Sequence, residues 1–523
     1  MFDDKPLLEK IMSERLTSII MIILIFVGLA VKFFQSLCLK LDSDKALGGI
    51  MAMEFWKHHN YLWSEFYMPS MDPYYFTEII PFYLVPQLIS GFDPTILRLT
   101  AFVVFVLVLI VFTCLVYRLS GQNRFAALLF AVLAANLGQQ AYGWVLGVVT
   151  MHNGTLLATG ILFLLILDFK KASMLRLLAI SAILGLGVFS DNIIIVWFLL
   201  PFLAVYLLVY REKDRRTNAW VMIWTTLAFL VFTVKTLFMD YLVPPPMGGQ
   251  GLNNIATNVL KLFGELYRYA LPVPAGDDVI VSLAGLAFVI VLLAAILIAL
   301  RRVAYTRDRG MRMTAAVFIT SSAIIFAGVI FTNLSEGVAR YLGFVVIAAL
   351  ALIAICIDTR SRVYMALVAV LIVAGAAGCI ITAASLDFQP NADEHALIAE
   401  MKAHNITYAY ASYDNANVIT YLSGEQVIVR PIEPIDNSSF QPYEWVSSVA
   451  WFDHHPLEIY VLVNNGPERE DTLKPFAATN AMEPVLHSGK YTLYRYEGNT
   501  SAIYETWHFD KGSGWERLSR KFL

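Results

Sequence analysis

Long apolar segments recur through the first 385 residues, and no other feature limits the fold so sharply. A bilayer core about 30 Å thick is crossed by roughly 20 apolar residues in a helix. Segments near that length fall at 16–37, 96–117, 125–144, 151–168, 174–190, 192–210, 218–240, 279–300, 313–332, 339–357 and 363–385. We therefore expect a polytopic α-helical membrane protein with about eleven transmembrane helices. The polar break "SDN" at Ser190–Asn192 reads as a tight turn between two of them. Only 15% of the 523 residues are charged, as lipid burial requires. A formal net charge of −3 gives no basic balance for nucleic acid, so the bilayer is the expected partner.

Basic residues orient such a chain, because they are retained in cytoplasmic loops. The stretches "YRLSGQNR", "DFKKASMLR", "YREKDRR", "RRVAYTRDRGMR" and "DTRSR" fall on one side, with the first fifteen residues. The N-terminus is then cytoplasmic, and an odd helix count puts the C-terminal tail outside the inner (plasma) membrane. The first apolar run lacks a cleavage-site pattern and reads as a retained anchor. No repeat of 20–50 residues appears, nor a matched pair of interrupted helices of the kind that marks many transporters.

Two regions follow from this layout. Residues 1–385 form the membrane module, with exterior loops 38–95 and 241–278. Residues 386–523 form a small exterior (periplasmic or extracellular) α/β domain. There "ADEHALIAEMKAHN" has helical spacing, and "ITYAYAS" and "QVIVRPI" read as strands around a helix opened by Asp414 and closed by Gly424. "LEIYVLVNN" reads as a buried strand, and the alternation of "YTLYRYE" as an outer one. The four cysteines lie in or beside apolar segments, which supports neither a disulfide framework nor a zinc site. "DHHP" at Asp453–Pro456 reads as a polar loop, since adjacent histidines rarely reach one ion together.

The loops carry the chemistry. Residues 38–95 hold Asp42, Asp44, Glu54, Glu65, Asp72, Glu78 and Asp93 among many aromatics. The stretch from Asp44 to Trp56 is expected as a helix lying along the membrane surface. A carboxylate near the bilayer loses hydration, which suits it to proton abstraction near neutral pH. Loop 241–278 has Pro and Gly punctuation around a central helix, with "GGQG" as a flexible element. It reads equally as a cover over a lipid-linked substrate or as a loop packed on the tail. Further polar residues stand at outer helix ends: His152, Asp191, and Glu336 with Arg340 in "SEGVARYLGF". Ionisable groups at such depth serve a cavity or a partner. Arg340 is the best candidate for a phosphate, because guanidinium binds its oxygens in bidentate fashion. A structural pair with Glu336 or Asp191 is the alternative.

This order of features resembles membrane glycosyltransferases of the GT-C fold. The matching pieces are "LDSDKALGGIMAMEFWKHHN" after the first helix, "FTEIIPFYLVPQL" and "ILRLTAF" before the second, and "EGVARYLGF" much later. The second acidic pair common in the class has Asp72 or Glu78 as its nearest counterparts by position. The resemblance implies a sugar carried on a polyprenyl phosphate, delivered from the outer leaflet to a cell-surface glycan acceptor by inverting displacement. Asp44 would be the general base, with Asp42 as the alternative. Arg340, with Lys45, would steady the departing phosphate. Asp42, Asp72, Glu78 or Asp191 would orient the acceptor or hold a divalent cation, the metal requirement being open within the class. Glu336 and His152 complete the candidate binding set. Two rival readings are a flippase for a lipid-linked glycan and a non-catalytic assembly scaffold. Polar residues gathered at exterior helix ends, with Lys235 among few charges inside a span, weigh against transport.

Overall fold

The structure, a computed structural model, describes residues 7–69, 72–147, 152–167, 171–210, 215–238, 242–243, 254–271, 279–332, 338–435, 439–467, 471–479, 482–505 and 507. Two compact units divide the chain. The first comprises Met1–Leu37, Ala101–Phe229 and Pro246–Leu386; the second comprises Cys38–Thr100, Leu230–Pro245 and Asp387–Leu523.

Each of the eleven apolar segments contains a helix. Six of these helices are long and apolar enough to cross a membrane: Glu14–Leu37, Pro94–Leu119, Arg215–Leu237, Leu283–Tyr305, Arg309–Phe331 and Arg362–Ala384. The others, Arg124–Ala135, Asn153–Ile166, Met174–Ser190, Ile195–Leu208 and Arg340–Ile355, are shorter. Four of the basic loops end in caps that serve the first orphan N–H groups of the next helix. Asn123, Ser173, Asp308 and Ser361 each accept from a backbone N–H two or three residues on. The apolar side chains Leu16, Ile23 and Phe26 on the first helix are exposed, as lipid-facing residues are.

The segment expected at 125–144 stops as a helix at Ala135 for a local reason. Asn136 turns its Nδ2 back onto the Val132 carbonyl at 2.8 Å and onto that of Leu24 at 3.2 Å. Two glycines permit the approach. A Cβ on Gly28 would stand 2.7 Å from the Ala135 oxygen, and one on Gly375 would stand 2.9 Å from that of Asn136. The central helix expected in loop 241–278 is present as Ile255–Ala270. It is fixed by buried Asn258, whose Nδ2 donates to the Ile330 carbonyl at 3.1 Å. The "GGQG" element lies outside the described residues.

The second unit is built on strands. We number them β1 (Phe66–Pro69), β2 (Leu242–Val243), β3 (Tyr408–Ala411), β4 (Ile428–Pro434), β5 (Phe440–Pro442), β6 (Ser447–Ser448), β7 (Tyr460–Asn464), β8 (Met482–Ser488) and β9 (Tyr491–Tyr496). A six-stranded mixed sheet runs β5-β4-β3-β7-β9-β8, with β3 parallel to β4 and β7. A small sheet, β2-β1-β6, pairs Phe66 with Ser448 and Tyr67 with Ser447, so the first loop shares a sheet with the tail.

Three expectations are corrected here. "YTLYRYE" is not the outer strand: β9 lies between β7 and β8, and β8 forms the edge. The helix after β3 opens at Tyr413 behind Ser412, one residue before Asp414, and ends at Leu422; Gly424 follows with φ of 61°. The helix from Ser43 to Trp56 is not a half-exposed surface helix. Every residue from Lys45 to Glu54 is buried, as expected of a helix apolar on all sides. "GG" explains how it packs. A Cβ on Gly48 would meet the Tyr83 ring at 3.0 Å, and one on Gly49 would overlap the Tyr421 ring at 2.1 Å.

Candidate functional site

The acidic motif sits at the start of this buried helix. Asp42 is its N-cap, its Oδ1 accepting from the Lys45 N–H at 2.9 Å. The Lys45 ammonium, itself buried, pairs with the other Asp42 oxygen. Asp42 therefore serves the helix terminus and the adjacent cation. Asp44 lies in the first turn, where the helix dipole favours a negative charge. Its Oδ1 accepts a hydrogen bond from the Tyr413 hydroxyl at 2.7 Å. Burial pushes the Tyr413 hydroxyl well above its usual range, and the neighbouring Asp44 carboxylate adds to this. Tyr413 thus stays a neutral donor to the carboxylate. Between the two acids, the Ser43 hydroxyl accepts from the Asn417 N–H at 3.1 Å.

A polar network holds this motif in place. Asn391, in the left-handed region at φ 67°, exchanges two hydrogen bonds with Leu41, at 2.9 Å to its N–H and 2.8 Å to its carbonyl. Its Oδ1 also accepts from Arg98 Nη2 at 2.9 Å, and Arg98 Nε donates to the Leu39 carbonyl at 2.8 Å. Glu394 accepts from Asn391 at 3.1 Å and from the Tyr491 hydroxyl at 2.7 Å. Burial works against the charge on Glu394, yet Tyr491, Lys40 and Lys490 outweigh it and hold the carboxyl below its usual range. At the far side of the helix the Tyr421 hydroxyl donates to buried Gln87 at 2.8 Å.

Of the other acids in the loop, Asp72 accepts from the Tyr74 hydroxyl at 2.8 Å. Glu78 is buried in the first turn of the wide-turn helix Tyr75–Leu84. In the first unit the structure brings His152 and Asp191 together. His152, at φ 63°, places its Nδ1 2.7 Å from Asp191 Oδ2, and the Thr155 hydroxyl donates to the same oxygen at 2.5 Å. Asp191 Oδ1 accepts from the Ile193 N–H at 3.0 Å, so the "SDN" turn is closed by its own carboxylate. The His152 ring lies 5.5 Å from that of Tyr341, the neighbour in sequence of half-buried Arg340. Glu336 lies outside the described residues. Among the described residues, no three His, Cys, Asp or Glu side chains are grouped to hold a metal ion.

The fold agrees with the GT-C fold that the sequence resembles. Among solved structures, the crystal structure of ArnT from Cupriavidus metallidurans bound to undecaprenyl phosphate superposes with a TM-score of 0.58 at 13% identity. The match covers 92% of this chain and 98% of that one. The apo state of the same protein aligns over 91% and 97%, at 13% identity and a TM-score of 0.44. No protein-family model matches the sequence, and comparison with curated proteins finds no relative. At this identity the first likeness establishes the fold, and it does so over nearly the whole chain.

Tyr413, Asn391 and Arg98 were not singled out by sequence reasoning. The available signal was the stretch "YAYASYDNANVITYLSG", whose tyrosine opens a helix rich in polar residues.

Proposed function

We propose that this multi-pass membrane protein is a glycosyltransferase. It moves a sugar from a polyprenyl-phosphate donor to a cell-surface glycan acceptor on the exterior face. The observation that carries this reading is the likeness to ArnT over 92% of the chain, in a structure solved with undecaprenyl phosphate. The acidic motif supports it, because Asp44 is held at the start of a buried helix by a tyrosine that remains protonated. In the proposed inverting step, an acceptor hydroxyl oxygen bonds to the anomeric carbon while the bond from that carbon to the phosphate oxygen breaks. Asp44 takes the hydroxyl proton, and the lipid phosphate leaves with the electron pair. Arg340 and Lys45 are the cations proposed to steady it. Glu336, His152, Asp191, Asp72 and Glu78 are proposed to shape the donor and acceptor sites.

The proposal includes eleven spans, a cytoplasmic N-terminus, and exterior loops 38–95 and 241–278 with the tail 386–523. Purified protein given labelled polyprenyl-phosphate sugars and total surface glycan is expected to release free polyprenyl phosphate and label the glycan. A flippase would release none, and such a result would sink the transferase reading.

A further inference from the structure

The second unit contains a pocket of about 400 Å³ that the acidic motif does not reach. It lies where the C-terminal end of the helix Ser43–Trp56 meets β3, β4 and the turn carrying Trp451. Arg430 lines it, only 5% exposed, its guanidinium carbon 4.2 Å above the Trp451 ring. On the same ring, Nε1 donates to buried Glu54. Arg430 Nε is buried with no hydrogen-bond partner among the described residues. Across the pocket, Glu425 accepts from His58 at 2.6 Å and pairs with Lys57 at 3.2 Å. Tyr408 and His454, edge to face at 5.0 Å, form an aromatic wall.

The charges choose the class of ligand. Two lining carboxylates, Glu54 and Glu425, stand against the Arg430 guanidinium and the His58 ring, whose pairing with Glu425 favours its protonated form, so the formal charges of the lining cancel. A phosphate or carboxylate entering here meets two acids, and an ammonium meets a guanidinium and an imidazolium. The pocket offers donors and acceptors side by side, next to aromatic surface. A pyranose ring has the matching chemistry: hydroxyls that donate and accept around its rim, and an apolar C–H face. We propose that this pocket binds a neutral sugar residue of a glycan. That this sugar belongs to the acceptor of the transfer rests on the function proposed above; its binding does not.

The test uses the full chain purified in detergent. The probes are the methyl glycosides of glucose, galactose, mannose and N-acetylglucosamine, with glucuronic acid and glucosamine as charged counterparts. Saturation-transfer NMR and calorimetry are expected to show saturable binding of at least one neutral glycoside. Thr407→Trp plugs the mouth from an exposed position and is expected to weaken that binding at least tenfold. Glu425→Gln and Arg430→Gln are expected to do the same, and Thr407→Trp decides the matter if Arg430→Gln does not fold. The assignment is overturned if no neutral glycoside binds, if Thr407→Trp leaves binding unchanged, or if a charged sugar binds more than tenfold tighter. Protein that releases polyprenyl phosphate yet binds no glycoside overturns the pocket alone. Binding without release overturns the transferase reading and leaves the pocket standing.

Discussion

The two aspartates that open the acidic helix differ in their surroundings, and that difference sorts their roles. Asp42 pairs with Lys45 and caps a helix, the second of which other short polar residues can do; Asp44 is oriented by Tyr413. Asp42→Ser should therefore retain most of the transfer activity, while Asp42→Ala destabilises the unit by ~1 kcal/mol. Asp44→Asn, folded and expressed like wild type, is expected to lower kcat by about 10²–10⁴-fold, the usual worth of a positioned base. Turnover by the two sets of variants checks this, and full activity in Asp44→Asn would remove it as the base. Residues 42–45 stand out in the sequence, since paired acids after a first apolar run are unusual. Tyr413 was not, because it lies 369 residues away and nothing local ties it to Asp44.

At the scale of elements, apolar periodicity located the helices well because lipid burial demands long uniform runs. It misplaced the environment of the helix Ser43–Trp56, whose covering partners come from distant segments. Gly48 and Gly49 hold the clue: two glycines inside a helix are costly unless something presses on them. Gly49→Ala should cost about 1–3 kcal/mol by overpacking against Tyr421, and a lowered thermal midpoint in detergent would register it. The end of this helix also responds to pH. The hydrogen bond that His58 donates to Glu425 raises its pKa above the ordinary value of 6.5, so its stabilisation is full below that value and fades as pH rises through the folded pKa. Burial pushes Glu425 up, but His58 and Lys57 outweigh it and hold it below its ordinary 4.5. Its contribution is full above 4.5 and fades as pH falls through the lowered value. Protection factors against hydrogen exchange in the segments around Lys57–His58 and Gly424–Glu425 are expected to be greatest between those limits and smaller on either side.

For the whole molecule, the sequence implied a GT-C layout, and the fold agrees over 92% of the chain. Its order of elements was legible because each is a local pattern. The grouping of residues 38–100 with 387–523 in one compact unit was not, since strand pairing such as Phe66 with Ser448 leaves no local mark. Truncation after Leu386 should consequently do more than remove a tail. It strips Arg98 and the Leu41 backbone of Asn391, each a buried group left with one partner fewer at ~1–3 kcal/mol. Loop 38–100 in the truncated protein is expected to become protease-sensitive, with intact digestion resistance as the contrary result.

The clasp between Leu41 and Asn391 also bears on biosynthesis. Its two halves are 350 residues apart, and at ribosomal speeds of about 5–20 residues per second the first waits roughly 20–70 s for the second. During that interval the acidic helix has been made, but the tail that buries it has not. The acidic helix must therefore reach its buried position late, once Asn391 has been made, so the second unit cannot be completed before the chain is nearly finished.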